Sequence, residues 1–402
     1  MPSFNTPTFE LTQSPSPATP ITASATQVRH GLAASESILD PLPKLFQPLK
    51  IRNITFKNRL WVSPMCMYSA EDGFVNDFHF MHYGQFAVRG SGGVVIEATG
   101  VVPEGRITPN CLGLWKDEQI AGLRHIVDYA HKFDTTIGIQ IGHAGRKSST
   151  IPLSQYGKRP TLKAEDSEGG WSENVYGPSA IAYDDKHWAP KEMTVEQIAD
   201  VQQAFVDAAV RAEKAGFDFI ELHGAHGYLI HQFYSPLSNQ RTDRYGGSFE
   251  NRIRFFVETA RKVRQVWPAE KPLLVRVSAS DCVEGGWDTE DTVELAKILH
   301  NEGVDLIDCS SAGNDPRQKV AYAPGYQVPY AAAVKAAVPG ILVGTIGSID
   351  SGRQANEILE QGKADVASAA RKYLRDPSFV FEAAKDLGVF VKWNDQYERS
   401  RI

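Results

Sequence analysis

The stretch Phe217–Asn251 reads FDFIELHGAHGYLIHQFYSPLSNQRTDRYGGSFEN. It begins with a largely apolar run, Phe217–Leu222, which is typical of a buried strand. Two imidazoles, His223 and His226, a phenol, several arginines and a double glycine follow directly. Ordinary core packing does not need so many polar groups just after a strand, so this stretch predicts the edge of an active site.

Strands and helices are predicted to alternate from Leu42 onwards. The predicted strands are Leu60–Val62, Val94–Ala98, Ile137–Ile141, Phe219–Leu222, Leu273–Val277, Leu306–Cys309, Ile341–Thr345 and Val366–Ala369. The predicted helices are Phe78–Val88, Glu118–Lys132, Val195–Ala215, Glu250–Val266, Thr289–Asn301, Val328–Ala336, Gly352–Glu360 and Pro377–Lys385. This alternation implies an α/β fold with a parallel sheet.

An open doubly wound sheet and a closed barrel both satisfy that alternation. We favour a single (β/α)8 barrel domain, a TIM barrel, over residues 38–402, because eight units close a barrel. Polar residues also collect at the predicted carboxyl ends of many strands, where barrel active sites lie. No GxGxxG motif follows an early strand, as a dinucleotide-binding fold would require.

The composition is that of a globular protein of ordinary polarity. The chain has 402 residues, a net charge of −6, and 42% apolar and 22% charged residues. Without a basic stripe or an apolar run that could cross a bilayer, we expect neither a nucleic-acid nor a membrane partner. The four cysteines form no CxxC pair, which argues against a bound metal and suits a reducing, cytoplasmic compartment.

The first 37 residues are rich in serine, threonine and proline and have few large apolar side chains. Such a segment buries too little apolar surface to offset the entropy of ordering it, so we predict a disordered extension over residues 1–37. It is Ser-rich and acid-poor, as transit peptides are, which leaves mitochondrial import as an alternative location. Arg29 is its only Lys or Arg, which favours the cytoplasm.

A second irregular segment lies at residues 147–188, and it is too long for a simple connecting loop. It contains Gly169-Gly170-Trp171 and Tyr176-Gly177-Pro178, which are turn and aromatic motifs. We interpret it as a lid insertion over the barrel mouth. A surface insertion without a role is the alternative.

His223, His226 and Tyr228 are the strongest candidates for chemistry. As a metal pair the histidines are weak, because no glutamate lies between them as in HExxH and no acidic third ligand is evident. Two imidazole donors can instead bind one carbonyl oxygen and stabilise negative charge that develops there. A phenol nearby, such as Tyr228, can donate a proton to carbon. The alternative is that both histidines are hydrogen-bonded core residues.

Five further motifs lie outside the opening stretch. They are SPMCMYS at 63–69, GRIT at 105–108, QIGHAGRK at 140–147, VRVSASD at 275–281 and VDLIDCSS at 304–311. Together with HGAHGYLIHQFYSPLSNQRTDRYGGSFENR at 223–252, they resemble the old yellow enzyme family, the FMN-dependent ene-reductases, from about Leu42 to Arg399. Cys66 and the final Tyr397-Glu398-Arg399 resemble its thermophilic-like branch. The resemblance implies a (β/α)8 barrel with FMN bound and NADPH or NADH as hydride donor.

The resemblance also assigns the flavin ring to residues on several strands: Ser63, Pro64, Met65, Cys66, Ala98, Gln140 and Arg276. By that analogy the Cys66 thiol lies near the N5/O4 edge and tunes the flavin potential. Gln140 reaches the pyrimidine edge. Arg276 lies near N1, where a fixed guanidinium would stabilise the negative charge of the reduced ring. For an isolated cysteine, inert core packing is the alternative.

The phosphate is expected at the ends of the last two strands, on Gly347, Ser348, Ala370 and Arg371. The family has Gly-Arg where this chain has Ala370-Arg371, so the backbone is expected to approach the phosphate less closely. Arg371 is expected to pair with the phosphate.

For the substrate, the resemblance implies contacts with Tyr68, His223, His226 and Arg399. In this branch the C-terminal arginine enters the neighbouring subunit's site, which implies a homodimer or a higher homo-oligomer. The residues after it, Ser400-Arg401-Ile402, depart from the Gly-Trp ending of the branch. A solvated tail is the alternative.

The expected function is an NAD(P)H-dependent FMN oxidoreductase of the NADPH dehydrogenase or enoate reductase type. It would reduce the C=C bond of α,β-unsaturated carbonyl compounds by ping-pong hydride transfer. A relative of the dienoyl-CoA reductases is disfavoured, because those enzymes carry an iron–sulfur region and a further nucleotide domain that this sequence does not include. A flavin-dependent isomerase or desaturase, and a flavin-binding protein without turnover, remain as alternatives.

Overall fold

The computed structural model of the protein describes residues 41–400, and the predicted extension over residues 1–37 lies outside them. The strands, in chain order, are β1 (Leu49–Ile51), β2 (Ile54–Phe56), β3 (Leu60–Val62), β4 (Gly93–Gly100), β5 (Thr136–Gly142), β6 (Tyr176–Gly177), β7 (Lys191–Glu192), β8 (Phe219–Gly224), β9 (Leu273–Ser278), β10 (Leu306–Ser310), β11 (Leu342–Thr345) and β12 (Val366–Ala369).

The helices lie mainly between the barrel strands. They are α1 (Asp77–Ala87), α2 (Ile120–His131), α3 (Val195–Ala215), α4 (Leu229–Tyr234), α5 (Phe249–Val266), α6 (Thr289–Asn301), α7 (Val328–Ala337), α8 (Gly352–Glu360), α9 (Arg371–Arg375) and α10 (Phe379–Asp386). Each predicted helix is present, with ends within two residues of the prediction. The short helices α4 and α9 were not predicted.

Eight of these strands close into a parallel barrel in the order β10-β11-β12-β3-β4-β5-β8-β9, so the prediction of a closed barrel is confirmed. The register sets which polar side chains become neighbours. Gln140 on β5 lies opposite Glu221 on β8. His223 lies opposite Arg276 on β9.

Local sequence explains why α3 has the bounds that its pattern predicts. The Thr194 hydroxyl accepts from the Gln197 N–H at 3.2 Å, and the Gln197 side chain accepts from the Thr194 N–H at 2.9 Å. This reciprocal pair satisfies two N–H groups that the first turn leaves free. Gly216 ends the helix at φ 93°, a left-handed conformation that glycine adopts without steric cost.

The amino-terminal end of the barrel is closed by the β1–β2 hairpin, which was not predicted from the sequence. Phe56 stacks on Trp61 with ring centroids 4.2 Å apart, and Phe219 packs against both rings. Phe56, Trp61 and Phe219 belong to a buried apolar cluster at this end, which is separate from the main core. Stability at this end of the barrel is therefore supplied by residues remote from the carboxyl-end loops.

The predicted lid lies within the long connection between β5 and α3. It consists of short 3-10 turns and the small β6–β7 pair, which extends the irregular region to Glu192. Two indoles anchor it, because Trp171 Nε1 donates to the Glu104 carbonyl at 3.0 Å and Trp188 Nε1 donates to the Ser149 carbonyl at 3.1 Å.

In residues 41–400, no helix is both long enough and apolar enough to span a bilayer.

Candidate active site

A cavity of about 500 Å³ opens at the carboxyl ends of the barrel strands. Of the predicted site residues, it is lined by Ser63, Pro64, His226, Arg276, Gly347, Ser348, Ala370 and Arg371. A narrow cleft is lined by Ala98, His223 and Tyr228. The fold thus brings most of the predicted residues, from six strands, to one end of the barrel.

His223 is the penultimate residue of β8 and is buried. Its Nδ1 accepts from the Ala225 N–H at 3.3 Å, so the neutral ring carries its proton on Nε2. Burial, with Arg276 as the next cause, holds the pKa of His223 well below its usual range. At neutral pH this ring is therefore an uncharged Nε2–H donor.

His226 follows the strand at φ 59°, a left-handed conformation that is uncommon for a residue other than glycine. Its N–H donates to Ser278 Oγ at 2.8 Å, and its Nε2 lies 2.7 Å from Ser310 Oγ. The ring is 5.3 Å from the His223 ring at an interplanar angle of 85°. Burial, followed by Arg276, lowers the pKa of His226 well below its usual range.

Tyr228 is half-buried next to the histidine pair, where α4 begins. Its ring lies 4.9 Å from the His223 ring at 80°. Burial raises the pKa of the Tyr228 phenol well above its usual range, with Cys66 as the next cause. The phenol therefore keeps its proton throughout the neutral range and can donate it.

Arg276 is a fixed positive charge at the bottom of the cavity. Its Nη1 donates to Ser63 Oγ at 2.9 Å, and its Nε lies 3.4 Å from Asp308 Oδ2. Within the described residues, this Nε is buried and has no hydrogen-bond partner of adequate geometry. Burial, together with Asp308, raises the pKa of the nearby Glu221 to about 8. One guanidinium thus lies near two buried carboxyl groups, and burial favours the neutral form of Glu221.

Cys66 and Tyr68 pack with Tyr228 around a small apolar cluster of Ile107, Cys111 and Ala144. Burial, followed by Cys111, raises the pKa of the Cys66 thiol well above its usual range. The sulfur is therefore a neutral thiol. Tyr68 has φ 51°, which turns the chain after the Ser63–Met67 segment.

Ala98 and Gln140 lie on neighbouring strands, and Met65 packs against the edge of the main core. Gln140 is buried, and its Nε2 donates to Glu221 Oε1 at 2.7 Å. One of the two amide hydrogens is therefore held by the protein, and the second hydrogen and the amide oxygen remain for a ligand.

Three cations line the end of the cavity near β11 and β12. Lys372 contacts Glu382 and Asp376, and Arg375 pairs with Asp350 at 2.9 Å. Among the described residues, Arg371 alone of the three has no acidic partner. It is therefore the cation best placed to bind an anionic group such as a phosphate.

Backbone conformation separates the two halves of this cationic end of the cavity. Gly347 has φ 113°, where any side chain would be strained, and a Cβ there would lie 3.1 Å from Gln327. Ser348 follows at φ 51°. Ala370, in contrast, has φ −113°, so its conformation does not require the glycine that the resemblance implies at this position.

Lys147, the last residue of the QIGHAGRK motif, is a further residue at the site, and its sequence context did not predict its position. Its Nζ donates to the His226 carbonyl at 3.0 Å and to the Gly313 carbonyl at 2.7 Å. It also lies 4.4 Å from the ring centroid of Tyr183, a lid residue, and 5.4 Å from that of Tyr228. Burial lowers the pKa of Lys147 to about 7. Its position next to the pair could not be read from spacing.

Arg399 lies in the final 3-10 turn, Asp395–Ser400, and lines neither the cavity nor the cleft. The same turn contacts the end of α1, where the Arg89 guanidinium is 5.4 Å from the ring centroid of Tyr397. The predicted substrate contact of Arg399 is therefore not made within one chain.

The residues at the cavity fit FMN. Arg371 is an unpaired cation at one end, while Arg276 presents a buried Nε without a hydrogen-bond partner in residues 41–400. Ser63 and Pro64 line the cavity beside Arg276. No group of three or more His, Cys, Asp or Glu side chains within the described residues is arranged to hold a metal ion.

Comparison with known proteins agrees with this fit. Residues 44–389 match the profile of the NADH:flavin oxidoreductase / NADH oxidase family. An NADH:flavin oxidoreductase of Gibberella zeae is 45% identical over 371 residues, covering 89% of each chain. The NADPH dehydrogenase of Geobacillus sp. is 46% identical over 88% of this chain and 98% of its own. That of Bacillus subtilis is 44% identical over 89% and 98%.

Solved structures show the same fold. Morphinone reductase superposes with a TM-score of 0.70 at 25% identity, covering 89% of this chain and 92% of its own. A 2-naphthoyl-CoA reductase complex gives a TM-score of 0.77 at 25% identity over 85% of this chain. This chain spans about half the length of that reductase, 52%.

The protein is thus an oxidoreductase with FMN as its cofactor and a reduced nicotinamide nucleotide as its electron donor. Since the family profile covers most of the chain and close relatives match it almost from end to end, the chain belongs to the NADH:flavin oxidoreductase / NADH oxidase family, which confirms the resemblance to the old yellow enzymes.

Proposed function

We propose that the protein reduces the C=C bond of α,β-unsaturated ketones and aldehydes with hydride taken from NADPH or NADH. The main observation in support is the His223–His226 pair, whose ring centroids lie 5.3 Å apart and whose ring planes are nearly perpendicular. Bound FMN would supply the hydride-transfer chemistry that links the nucleotide to the enone. The two substrates would occupy one pocket in turn, which is a ping-pong sequence.

The histidines are proposed to bind the carbonyl oxygen of the enone. Both rings are neutral, because burial holds their pKa values well below the usual range. A neutral ring N–H can donate to the oxygen without the desolvation cost of a buried charge. Because negative charge develops on that oxygen as hydride reaches the β-carbon, two aimed donors stabilise the transition state more than the ground state.

Tyr228 is proposed to protonate the α-carbon after hydride transfer. Its phenol adjoins His223, and its raised pKa keeps the proton available in the neutral range. Ser63, Pro64, Met65, Cys66, Ala98, Gln140, Arg276, Gly347, Ser348, Ala370 and Arg371 are proposed to bind FMN, and Tyr68 to line the substrate pocket.

We further propose a homodimer or a higher homo-oligomer in the cytoplasm. Arg399 lies away from the cavity of its own chain, so it can serve a site only through a neighbouring copy. The segment 147–188 is proposed to act as a lid, since its Tyr183 packs over Lys147 next to the histidine pair.

Anaerobic stopped-flow mixing tests the proposed reaction. The flavin of the purified enzyme is first reduced with one equivalent of NADPH and then mixed with 2-cyclohexenone. Rapid return of the oxidised flavin spectrum together with formation of cyclohexanone is expected. A reduced flavin that persists with the enone but reoxidises in air would overturn the second half-reaction. Conversion of the enone to an isomer, without net reduction, would identify the isomerase alternative.

A further inference from the structure

A buried chain of contacts leads from α7 to the histidine pair. Gln327, the residue before α7, is 4% exposed, and Ser310, the last residue of β10, is 3% exposed. Gln327 Nε2 donates to Ser310 Oγ at 3.1 Å, and Ser310 Oγ lies 2.7 Å from His226 Nε2. The proposed reaction uses neither Gln327 nor Ser310.

The direction of the hydrogens in this chain follows from the groups involved. An amide nitrogen only donates, so Ser310 Oγ accepts from Gln327. The serine hydroxyl has one hydrogen, which is then free to point to the other neighbour of its oxygen, His226 Nε2. A neutral imidazole that accepts at Nε2 carries its proton on Nδ1.

We propose that Gln327, acting through Ser310, is a positioning residue that fixes the tautomer of His226 with the proton on Nδ1. This inference rests on the proposed function, in which His226 must donate to the enone oxygen. Among the described residues, His226 Nδ1 has no hydrogen-bond partner. The nitrogen that the Gln327–Ser310–His226 hydrogen-bond chain, here called the relay, keeps protonated is therefore the one that is free for a ligand.

The two histidines then receive their tautomers from independent partners. His223 accepts at Nδ1 from the Ala225 N–H and therefore donates from Nε2. His226 accepts at Nε2 from Ser310 and therefore donates from Nδ1. With the other tautomer, His226 would turn a lone pair towards the substrate oxygen. The site would lose one donor and gain a repulsion.

The position of Gln327 is held from two sides. Its Nε2 also donates to Ser311 Oγ at 3.0 Å, so the amide is shared between two serine hydroxyls. On the other side, a Cβ at Gly347 would lie 3.1 Å from Gln327 Cβ and Oε1.

The amide turned by 180° would accept from both serines instead and would place the proton of His226 on Nε2, which is the competing arrangement.

Ring nitrogen chemical shifts separate the two arrangements without any turnover. The FMN-loaded enzyme is labelled with 15N-histidine, and the His226 signals are assigned from their loss in His226→Gln. In the wild type, Nδ1 is expected at a protonated, pyrrole-type shift and Nε2 at a pyridine-type shift. The reverse pattern in the wild type would overturn the proposal, whatever the enzyme reduces.

Three variants test the route. Gln327→Met and Ser310→Ala are expected to move His226 to averaged shifts of mixed tautomers, because the hydrogen bond to Nε2 is no longer directed. Ser311→Ala is the matched control, since it removes the equivalent bond from Gln327 but no contact to His226, and the wild-type shifts should persist. Wild-type shifts in Gln327→Met would exclude a role for the amide.

The kinetic consequence is measured separately in flavin-replete samples. In Gln327→Met, the rate of flavin reoxidation by 2-cyclohexenone should fall in proportion to the fraction of His226 that still carries its proton on Nδ1. If that fraction is one in ten, the rate should fall on the order of ten-fold. If the variants show altered shifts but the wild type does not react with the enone, the relay is supported and the proposed function is overturned. Altered shifts with an unchanged reoxidation rate would show that the tautomer does not matter to the reaction.

Discussion

At the scale of single residues, the site depends on neutral groups held in unusual surroundings. His223 and His226 are kept uncharged by burial, and Arg276 adds to the effect in both. The Cys66 thiol and the Tyr228 phenol are also neutral, since burial raises the pKa of each. The groups proposed to contact the reacting atoms are therefore uncharged hydrogen-bond donors, whereas Arg276 and Arg371 contribute positive charge to the cavity.

The histidine pair should matter more to turnover than the phenol. His223→Ala or His226→Ala is expected to slow flavin reoxidation by an enone roughly 10²-fold, the loss typical of one oxyanion donor. Tyr228→Phe should lose less, because water can replace a proton donor more easily than two aimed donors. Stopped-flow rates at saturating enone provide the comparison. An equal or larger loss in Tyr228→Phe would contradict the assignment.

Ala370 offers a test of the phosphate end. Its negative φ of −113° does not require glycine, so any cost of the methyl group to FMN binding would come from its proximity to the proposed phosphate site. Ala370→Gly is expected to tighten FMN binding a few-fold, on the order of 1 kcal/mol. Fluorescence titration of the apoprotein with FMN measures this. Arg371→Gln removes a cavity cation that has no acidic partner among the described residues, and it should weaken binding. A weaker complex for Ala370→Gly would contradict the expectation.

At the scale of elements, the two ends of the barrel have separate tasks. The amino-terminal end carries the hairpin and its aromatic cluster, whereas the cavity lies at the carboxyl ends of the strands. This division is common in barrels, where loops at one end can change without loss of the core.

The hairpin should therefore contribute stability without affecting the reaction. Phe56→Ala removes a fully buried ring that stacks on Trp61, and it is expected to lower the free energy of unfolding by about 3–5 kcal/mol. Urea unfolding measures the loss, with the half-buried Ile54→Ala on the same hairpin as a milder control. The enone rate of the folded Phe56→Ala protein should equal that of the wild type, and a parallel fall would show that the two ends are coupled.

The elements were predictable where periodicity and caps agree. α3, α6 and α8 begin and end where the sequence predicts, and each has a side-chain cap at its start. The β1–β2 hairpin was missed, since each of its three-residue strands is interrupted by a polar residue, Lys50 or Thr55, whereas the equally short β3 is an unbroken apolar run. The helices α4 and α9 were missed because they have only six and five residues.

The candidate site was predictable only where chemistry is local in the sequence. His223, His226 and Tyr228 follow one strand, so their clustering could be inferred from residue types alone. Residues such as Cys66 and Arg276 needed the family resemblance, because nothing in their spacing links them to the pair. Lys147 and Gln327 were not predicted, since their roles arise from contacts across the barrel mouth.

At the scale of the whole molecule, several histidines make the fold sensitive to acid. Burial lowers the pKa of His79, His82 and His143 each from 6.5 to about 4. As the pH falls below 6.5, these histidines bind protons in the unfolded chain but stay neutral in the native state. The free energy of unfolding therefore decreases between pH 6.5 and about 4. Each histidine can cost up to about 3 kcal/mol in that window.

This predicts a pH slope that one substitution should reduce. Urea unfolding at pH 6.5, 5.5 and 4.5 should show a steep fall for the wild type and a shallower fall for His82→Gln, which removes one buried imidazole. His125→Gln, on the exposed face of α2, is the matched control and should keep the wild-type slope. Equal slopes in all three proteins would show that carboxylates, and not buried histidines, dominate acid unfolding.

Four residues other than glycine around the mouth of the barrel hold left-handed backbones: Tyr68, His226, Ala312 and Ser348. Each such conformation costs roughly 1–2 kcal/mol. A thermostabilisation programme guided by backbone fit alone would convert these positions to glycine or asparagine. It would produce a more stable barrel, but glycine at His226 would remove one of the two proposed donors and slow the enone reaction. Stabilising substitutions that preserve turnover should therefore be made at the hairpin end, while the left-handed residues at the mouth are kept.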